Sequence, residues 1–201
     1  MMDSVNPLVN LRKYNVVLAS NSPRRRELLS MLGIDFEVRV PAEVDEHYPA
    51  AIAPSQVPEM LALRKAEAYQ LSELRRRGDI VIASDTVVIA DGRVLGKPAD
   101  EDQARDMLRM LSGRTHTVVS GVAVSDGNRV VSFSASTRVT FAALTDDEIT
   151  WYVERYRPLD KAGAYGIQEW IGCIGVSGIE GSFYNVMGLP LHRLYTVLRD
   201  F

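Results

Sequence analysis

The fold of this chain is decided by the stretch Ile80-Val-Ile-Ala-Ser-Asp-Thr-Val-Val-Ile-Ala90. Ile80 to Ala83 is the most continuous buried-strand candidate, and a second apolar run, Val87 to Ala90, leads into an Asp91-Gly92 turn. Asp85 interrupts the apolar element between these runs. We therefore predict a buried strand with a carboxylate at its carboxyl end, where α/β folds commonly place ligand-binding residues.

The sequence before this stretch predicts a strand, a helix, a second strand and a long helix. Val16 to Ala19 is a short apolar run, and Ser22-Pro23 supplies an N-cap and a first-turn proline. Alternating apolar residues from Ile34 to Val40 favour a strand, and the apolar spacing from Glu59 to Arg77 favours a helix. We interpret Arg75-Arg76-Arg77 as the solvated last turn of that helix.

The sequence after the stretch predicts helices alternating with strands. We expect a helix over Asp100 to Leu111, a hairpin of strands Thr117 to Val124 and Arg129 to Phe141, a helix from a Thr145 capping box through Tyr156, a strand-like segment from Gly163 to Gly188, and a terminal helix from Leu189 to Leu198. The whole pattern predicts an α/β fold with a mixed twisted sheet and flanking helices.

Composition limits the classes of protein to consider. The 201 residues are 46% hydrophobic, enough for one domain over residues 1–201, with 1–14 as a peripheral N-terminal lead. The chain has 23 Lys and Arg residues and 26 Asp and Glu residues, so it has no excess of positive charge that would indicate nucleic acid as a partner. Cys173 is the single cysteine, and no apolar run approaches the roughly 20 residues of a membrane span. We expect a cytoplasmic protein with no membrane partner.

A first candidate site follows the first predicted strand, at Ser20-Asn21-Ser22-Pro23-Arg24-Arg25. Serine hydroxyls, backbone N–H groups at a helix start and guanidinium groups together suit a phosphate. Arginines at a helix N-terminus oppose the helix dipole, so an anion would compensate them. The alternative is a surface helix whose arginines face water, and the pattern alone leaves both interpretations open.

A second candidate site centres on Asp85, a carboxylate whose burial needs a partner. A metal ion, a lysine or backbone N–H groups could compensate it and tune it to accept a proton from water. The alternative is a turn aspartate bonded to its own backbone. Lys97 is a compact charge suited to a phosphate, Gln168 offers a donor and an acceptor to a base edge, and Glu46 could bind Mg²⁺ or Mn²⁺ through oxygen. The alternatives are a structural loop around Gln168 and a solvated acidic loop around Glu46, and His47, His116 and His192 show no metal spacing.

Several motifs in a fixed order resemble the Maf family. They are Leu18-Ala-Ser-Asn-Ser-Pro-Arg-Arg-Arg-Glu-Leu-Leu29, Ser84-Asp-Thr-Val-Val88, Gly96-Lys-Pro98, Leu111-Ser-Gly113, Asp160-Lys-Ala-Gly-Ala-Tyr-Gly-Ile-Gln168 and Gly188-Leu-Pro190. The match runs from about Val16 to the C-terminus. The resemblance implies a mixed α/β fold similar to inosine-triphosphate pyrophosphatases, hydrolysis of nucleoside triphosphates to monophosphate and pyrophosphate, a divalent metal cofactor and often a homodimer.

The resemblance also implies a role for each matching residue. Asp85 would be the proton acceptor, Glu46 would help it hold the metal, and the triphosphate would lie against Ser20, Arg24, Arg25, Lys65 and Lys97. The family's specificity positions fall on Arg24, Thr86 and Gln168, and the Ala-Tyr-Gly-Ile-Gln ending resembles the dTTP/UTP branch. This chain departs from the pattern at Glu169-Trp170, where glycine-rich sequence is usual.

Three alternatives remain at the level of sequence. A non-catalytic nucleotide-binding regulator of septum formation would use the same arginines without needing Asp85. A phosphatase releasing inorganic phosphate would use the same cradle and metal. A 7-methyl-GTP-type pyrophosphatase would share the chemistry and differ at the base.

Overall fold

A seven-stranded mixed sheet organises this computed structural model, which describes residues 6–42 and 44–201. The strands are β1 Asn15–Leu18, β2 Glu37–Val38, β3 Asp79–Ala90, β4 Arg93–Leu95, β5 Thr115–Ser125, β6 Val130–Phe141 and β7 Val176–Glu180. Their order is β2-β1-β3-β5-β6-β7, with β4 paired to β3. β1 runs parallel to β2 and β3, and the other pairs are antiparallel. The predicted mixed sheet is confirmed.

Helices flank this sheet, as predicted. They are α1 Pro23–Ser30, α2 Val57–Leu71, α3 Glu101–Leu111, α4 Asp146–Tyr156, α5 Trp170–Gly175, α6 Phe183–Met187 and α7 Leu191–Arg199. Side-chain caps fix several starts: Ser22 Oγ accepts from the backbone N of Arg25, and Thr145 and Glu148 form a capping box. Local polar signals therefore predict these starts well.

The two faces of β3 carry different packing. Ile80 and Ile82 point into the larger core, which includes buried leucines of α1, α3 and α7 and the buried apolar residues of α4. Val81 and Ala83 point to the other face, where they pack against Ala62, Ala66 and Tyr69 of α2. Because side chains alternate along a strand, Asp85 lies on the α2 face and Thr86 on the opposite face.

A glycine lets α2 lie directly on the sheet beside Asp85. Gly121 of β5 is paired with Asp85 in the register of the two strands. A Cβ atom at Gly121 would lie 2.2 Å from the backbone N of Glu59, far inside contact distance. Only glycine therefore allows this close approach, which brings the start of α2 and its cationic side chains over the middle of β3.

The prediction that Asp85 follows the end of a strand is wrong. β3 is continuous, and Asp85 lies at its middle. On one edge of β3, β1 pairs with residues 79–82 and β4 pairs with residues 88–90. Within the residues that the structure describes, neither strand pairs with the backbone at Asp85. The carboxylate therefore lies just beyond the carboxyl end of β1, in a gap of the sheet, and the continuous antiparallel pairing with β5 keeps the strand intact.

Three predicted elements differ in extent. The strand expected from Ile34 to Val40 is reduced to β2, and the segment from Gly163 to Gly188 holds two helices beside β7. The helix expected to reach Arg77 ends at Leu71, so the interpretation of Arg75 to Arg77 as its last turn is wrong. The chain turns because Asp79 accepts hydrogen bonds from the backbone N of Arg76, from Arg39 and from Tyr69.

The described part of the N-terminal lead is attached to the core. Leu8 and Leu11 are buried, and the Asn6 side chain donates to the backbone oxygens of Leu32 and Gly33. A 3-10 helix, Val9–Lys13, contacts α7. Residues 1–5 of the predicted lead lie outside the described residues. In the described ranges, no helix is long and apolar enough to span a membrane.

Candidate active site

All site residues predicted from the sequence line one cavity of about 750 Å³. They are Ser20, Arg24, Arg25, Glu46, Lys65, Asp85, Thr86, Lys97 and Gln168. The cavity lies at the gap beside Asp85 in β3. The segments that supply the predicted residues are far apart in sequence, and the sheet brings them together at this edge.

A lysine between two carboxylates forms the acidic part of the cavity. Lys65 Nζ, on α2, lies 2.6 Å from Asp85 Oδ1 and 2.7 Å from Glu46 Oε1. The hydrogen bond from Lys65 holds the pKa of Glu46 below its usual range. Within the described ranges Asp85 Oδ2 has no hydrogen-bond partner, so this oxygen can accept a proton from a water in the cavity.

The donor set suits a divalent metal that arrives with a phosphate ligand. Glu46 and Asp85 already share one cation, the Lys65 ammonium, and carboxylate oxygens are ligands that Mg²⁺ and Mn²⁺ prefer. Among the residues that the structure describes, no group of three or more His, Cys, Asp or Glu could hold a metal. Mg²⁺ is commonly bound by one or two carboxylates together with substrate phosphates, which is the number available here.

Arg25 is occupied by the protein itself, in contrast to its predicted contact with the triphosphate. Its Nε donates to the Gly188 carbonyl at 2.9 Å, one terminal nitrogen to the Ser84 carbonyl at 2.8 Å, and the other to Thr86 Oγ1 at 3.1 Å. Burial lowers the pKa of this guanidinium. Arg25 therefore joins α1, β3 and the Gly188 turn, and it fixes the position of Thr86 beside Asp85.

Two other predicted cations are better placed to meet an anion. Lys97 is exposed in the cavity wall and has no ion-pair partner within 6–42 and 44–201. Arg24 bonds Asp160 Oδ2 at 2.7 Å through one terminal nitrogen, with its side chain 22% exposed. Its remaining N–H groups can reach a ligand without breaking that bond.

The segment from Gly163 to Gln168 forms the opposite end of the cavity. Gln168 is exposed in the cavity wall, and within the described ranges its side chain has no hydrogen-bond partner. Three residues earlier in the segment, the buried Tyr165 packs edge-on against Phe141, and its hydroxyl lies 2.7 Å from His116 Nε2. No site role was predicted for His116, and the structure places it behind this segment.

Burial lowers the pKa of His116 to about 4. In the unfolded chain the His116 imidazole binds a proton near pH 6.5, whereas in the folded chain it binds one only near pH 4. The free energy of unfolding therefore falls as the pH drops from about 6.5 to about 4. We expect a loss of up to about 3 kcal/mol in the free energy of unfolding across this window. Urea unfolding at a series of pH values measures it.

His116→Asn is the control for this pH dependence, because asparagine does not titrate. The variant should lose the slope between pH 6.5 and 4 and keep the steeper acid loss near pH 4 and below. That acid loss includes Asp79, whose pKa burial would raise but hydrogen bonds from Arg39, Tyr69 and Arg76 lower to about 2. Equal slopes in wild type and variant would contradict the assignment.

A polar network behind the cavity was not predicted from the sequence. Lys161 is buried and lies 2.8 Å from Asp160 Oδ1 and 3.0 Å from Glu169 Oε1. The hydroxyl of Tyr152, on α4, donates to the other oxygen of Glu169. Burial, then the hydrogen bond to Glu169, raises the pKa of Tyr152, which keeps its proton. Asp160 and Lys161 begin the motif that ends at Gln168, but the sequence alone does not reveal the partners of their side chains.

The chain is similar to known proteins over nearly its whole length. The family model described as Maf-like protein matches residues 15–201. The dTTP/UTP pyrophosphatase of Porphyromonas gingivalis is 56% identical over 194 residues, 96% of this chain and 98% of that protein. The protein of the same name from Symbiobacterium thermophilum is 50% identical, over 92% of this chain and 93% of its own. The solved structure of the Staphylococcus aureus Ham1 protein is 20% identical over 80% of this chain and 90% of that chain, with a TM-score of 0.47. The chain therefore belongs to the Maf family.

Proposed function

We propose that this protein is a nucleoside triphosphate pyrophosphatase that hydrolyses dTTP and UTP to the monophosphate and pyrophosphate. The observation that carries the proposal is the Glu46, Lys65 and Asp85 cluster, set in one cavity with Arg24 and Lys97. The relatives named dTTP/UTP pyrophosphatase, at 56% and 50% identity over nearly the whole chain, support the substrate class. House-cleaning of the nucleotide pool is the role that follows from it.

In this mechanism Asp85 activates a water for attack at the α-phosphorus. Its free oxygen Oδ2 accepts the proton while Lys65 orients the carboxylate through Oδ1. Arg24 and Lys97 stabilise the charge that develops on the phosphate oxygens. Thr86, held by Arg25 and by Ser120 Oγ at 2.8 Å, keeps the strand backbone beside Asp85 in place.

Glu46 and Asp85 are the residues that would hold a divalent metal. When bound, Mg²⁺ or Mn²⁺ would neutralise phosphate charge and polarise the reacting phosphoryl group. Lys65 keeps its bond to Asp85 Oδ1, and a remaining N–H group of its ammonium is proposed to meet the incoming triphosphate. Metal dependence of turnover, with Mg²⁺ and Mn²⁺ compared against EDTA, tests this part of the proposal.

Gln168 is proposed to read the base. Uracil and thymine present a ring N–H between two carbonyl oxygens, which one amide can pair with a carbonyl and an N–H together. Cytosine reverses this pattern, with an acceptor at that nitrogen beside an amino donor, so an amide held in one orientation leaves a group without a partner once the base covers it. A buried unpaired polar group costs about 1 to 3 kcal/mol, so kcat/KM for UTP should exceed that for CTP by roughly 5- to 150-fold.

Gln168→Glu should erode this preference, because it removes the amide donor and adds a charge. The measurement is kcat/KM of wild type and variant for UTP, dTTP, CTP and 7-methyl-GTP. Hydrolysis of the triphosphate itself should persist in the variant, since Asp85 is untouched. A wild type that prefers CTP or 7-methyl-GTP, or a variant with an unchanged ranking, would remove Gln168 as the base reader.

Separation of products after incubation with UTP and Mg²⁺ distinguishes the classes of function. The proposal predicts UMP and pyrophosphate in equal amounts. Free phosphate would indicate a phosphatase, and bound but unchanged UTP would indicate a nucleotide-binding regulator. Either outcome would overturn the proposal.

We also propose the domain organisation, the cellular location and the oligomeric state of the protein. Residues 1–201 act as one domain, because a single sheet carries every segment of the site. A cytoplasmic location is proposed because the substrates, UTP and dTTP, belong to the nucleotide pool of the cell. The resemblance to the family supports a homodimer, which sedimentation equilibrium would detect as a species of twice the chain mass.

A further inference from the structure

The segment that carries Gln168 is held from behind by a tyrosine hydroxyl. The backbone N of Gly166 donates to Tyr152 Oη at 3.0 Å, and that hydroxyl donates in turn to Glu169. Tyr152 is fully buried, so its hydroxyl cannot exchange these partners for bulk water. The Gly166 backbone therefore has one fixed position relative to α4.

Glu169 closes the same segment from its other end. The backbone N of Glu169 donates to the Gly166 carbonyl at 2.9 Å. A Cβ atom at Gly166 would lie 2.8 Å from the Glu169 carboxyl carbon, so the side chain packs directly over the Gly166 backbone. Gln168 lies between these two residues and follows any movement of either.

The remaining oxygen of Glu169 connects this end of the cavity to the phosphate end. Lys161 bridges Glu169 and Asp160, and Asp160 in turn binds Arg24. The Lys161 side chain is only 9% exposed, which strengthens its ion pairs compared with pairs in water. A continuous series of ion pairs thus runs from the first-turn arginine of α1 to the base segment.

We propose that Tyr152, Glu169 and Lys161 are positioning residues that set base selectivity by fixing Gln168 relative to Arg24. The proposal rests on the proposed function, because it assigns these residues to the reading of the base. None of them touches the reacting phosphate in this account. Their loss should act on the discrimination between bases and on KM, with kcat largely retained.

Tyr152→Phe is the sharpest test, because it deletes one oxygen atom from a buried ring. We expect the ratio of kcat/KM for UTP to kcat/KM for CTP to fall by about 5-fold or more, mainly through KM for UTP. Glu169→Gln should act in the same direction, because its amide oxygen still accepts from Tyr152 but its charge no longer binds Lys161. Tyr195→Phe is the matched control: no hydrogen bond of this α7 hydroxyl is found among the described residues, and the ratio should stay at the wild-type value.

A second measurement separates positioning from general destabilisation. In a Gln168→Ala background the reader is absent, so adding Tyr152→Phe should leave the UTP-to-CTP ratio unchanged. Equal losses on UTP and CTP in Tyr152→Phe, or an undiminished effect in the Gln168→Ala background, would overturn this inference alone. A wild type that releases no pyrophosphate from UTP would overturn the proposed function and this inference with it.

Discussion

Asp85→Asn is expected to lower kcat for UTP by at least about 10³-fold while the protein remains folded. Asparagine has nearly the same shape and can still accept the hydrogen bond from Lys65 through its amide oxygen. It cannot take a proton from water, and it removes half of the charge that attracts a metal. Nucleotide binding should therefore survive, measured as a Kd by isothermal titration in parallel with steady-state turnover.

Asp91→Asn is the control for this variant. Asp91 follows the end of the same strand, is exposed, and has a φ of 49°, a conformation that asparagine also tolerates. The control should turn over UTP at the wild-type rate. Near-normal turnover in a folded Asp85→Asn protein would contradict the assignment of Asp85 as the proton acceptor.

Lys97→Ala is expected to lower kcat/KM for UTP by roughly 10²- to 10³-fold. The reason is the position of Lys97 in the cavity wall, where in the described part of the chain no carboxylate forms an ion pair with it. An ammonium so placed is available to the phosphate oxygens, and removing one such donor from a pocket costs about 3 to 4 kcal/mol. Steady-state kinetics with UTP measures the loss.

Lys13→Ala removes a lysine away from the cavity and provides the comparison. Its ammonium lies 4.8 Å from the ring centroid of Tyr14, and it does not line the cavity. We expect less than a twofold change in kcat/KM. If Lys97→Ala were as active as Lys13→Ala, the lysine would be an ordinary solvated side chain and the phosphate contact would be wrong.

Elements governed by local signals could be predicted from the sequence. Ser22 and the Thr145 capping box start helices where their hydrogen bonds satisfy the first backbone N–H groups. The β5 and β6 hairpin follows from two long apolar strands joined at a turn. The end of α2 could not be predicted in this way, because it depends on Asp79, a residue of the following strand that captures the Arg76 backbone.

The candidate site was predicted as a set of residues but not as an arrangement. Every predicted site residue lines the cavity, yet Arg24 and Arg25 are neighbours of the same type with different surroundings. Arg25 is enclosed by the Ser84 and Gly188 carbonyls, whereas Arg24 stays partly exposed beside Asp160. That difference comes from the closure of α1 on β3 and on the Gly188 turn, a long-range contact that the order of residues does not reveal.

In the proposed reaction, water attacks the α-phosphorus of UTP and pyrophosphate is released. Hydrolysis in H₂¹⁸O followed by mass spectrometry of the separated products tests this step. We expect one ¹⁸O atom in UMP and none in pyrophosphate, at a rate that Asp85→Asn lowers by at least about 10³-fold. Label in pyrophosphate, or labelled free phosphate, would contradict it.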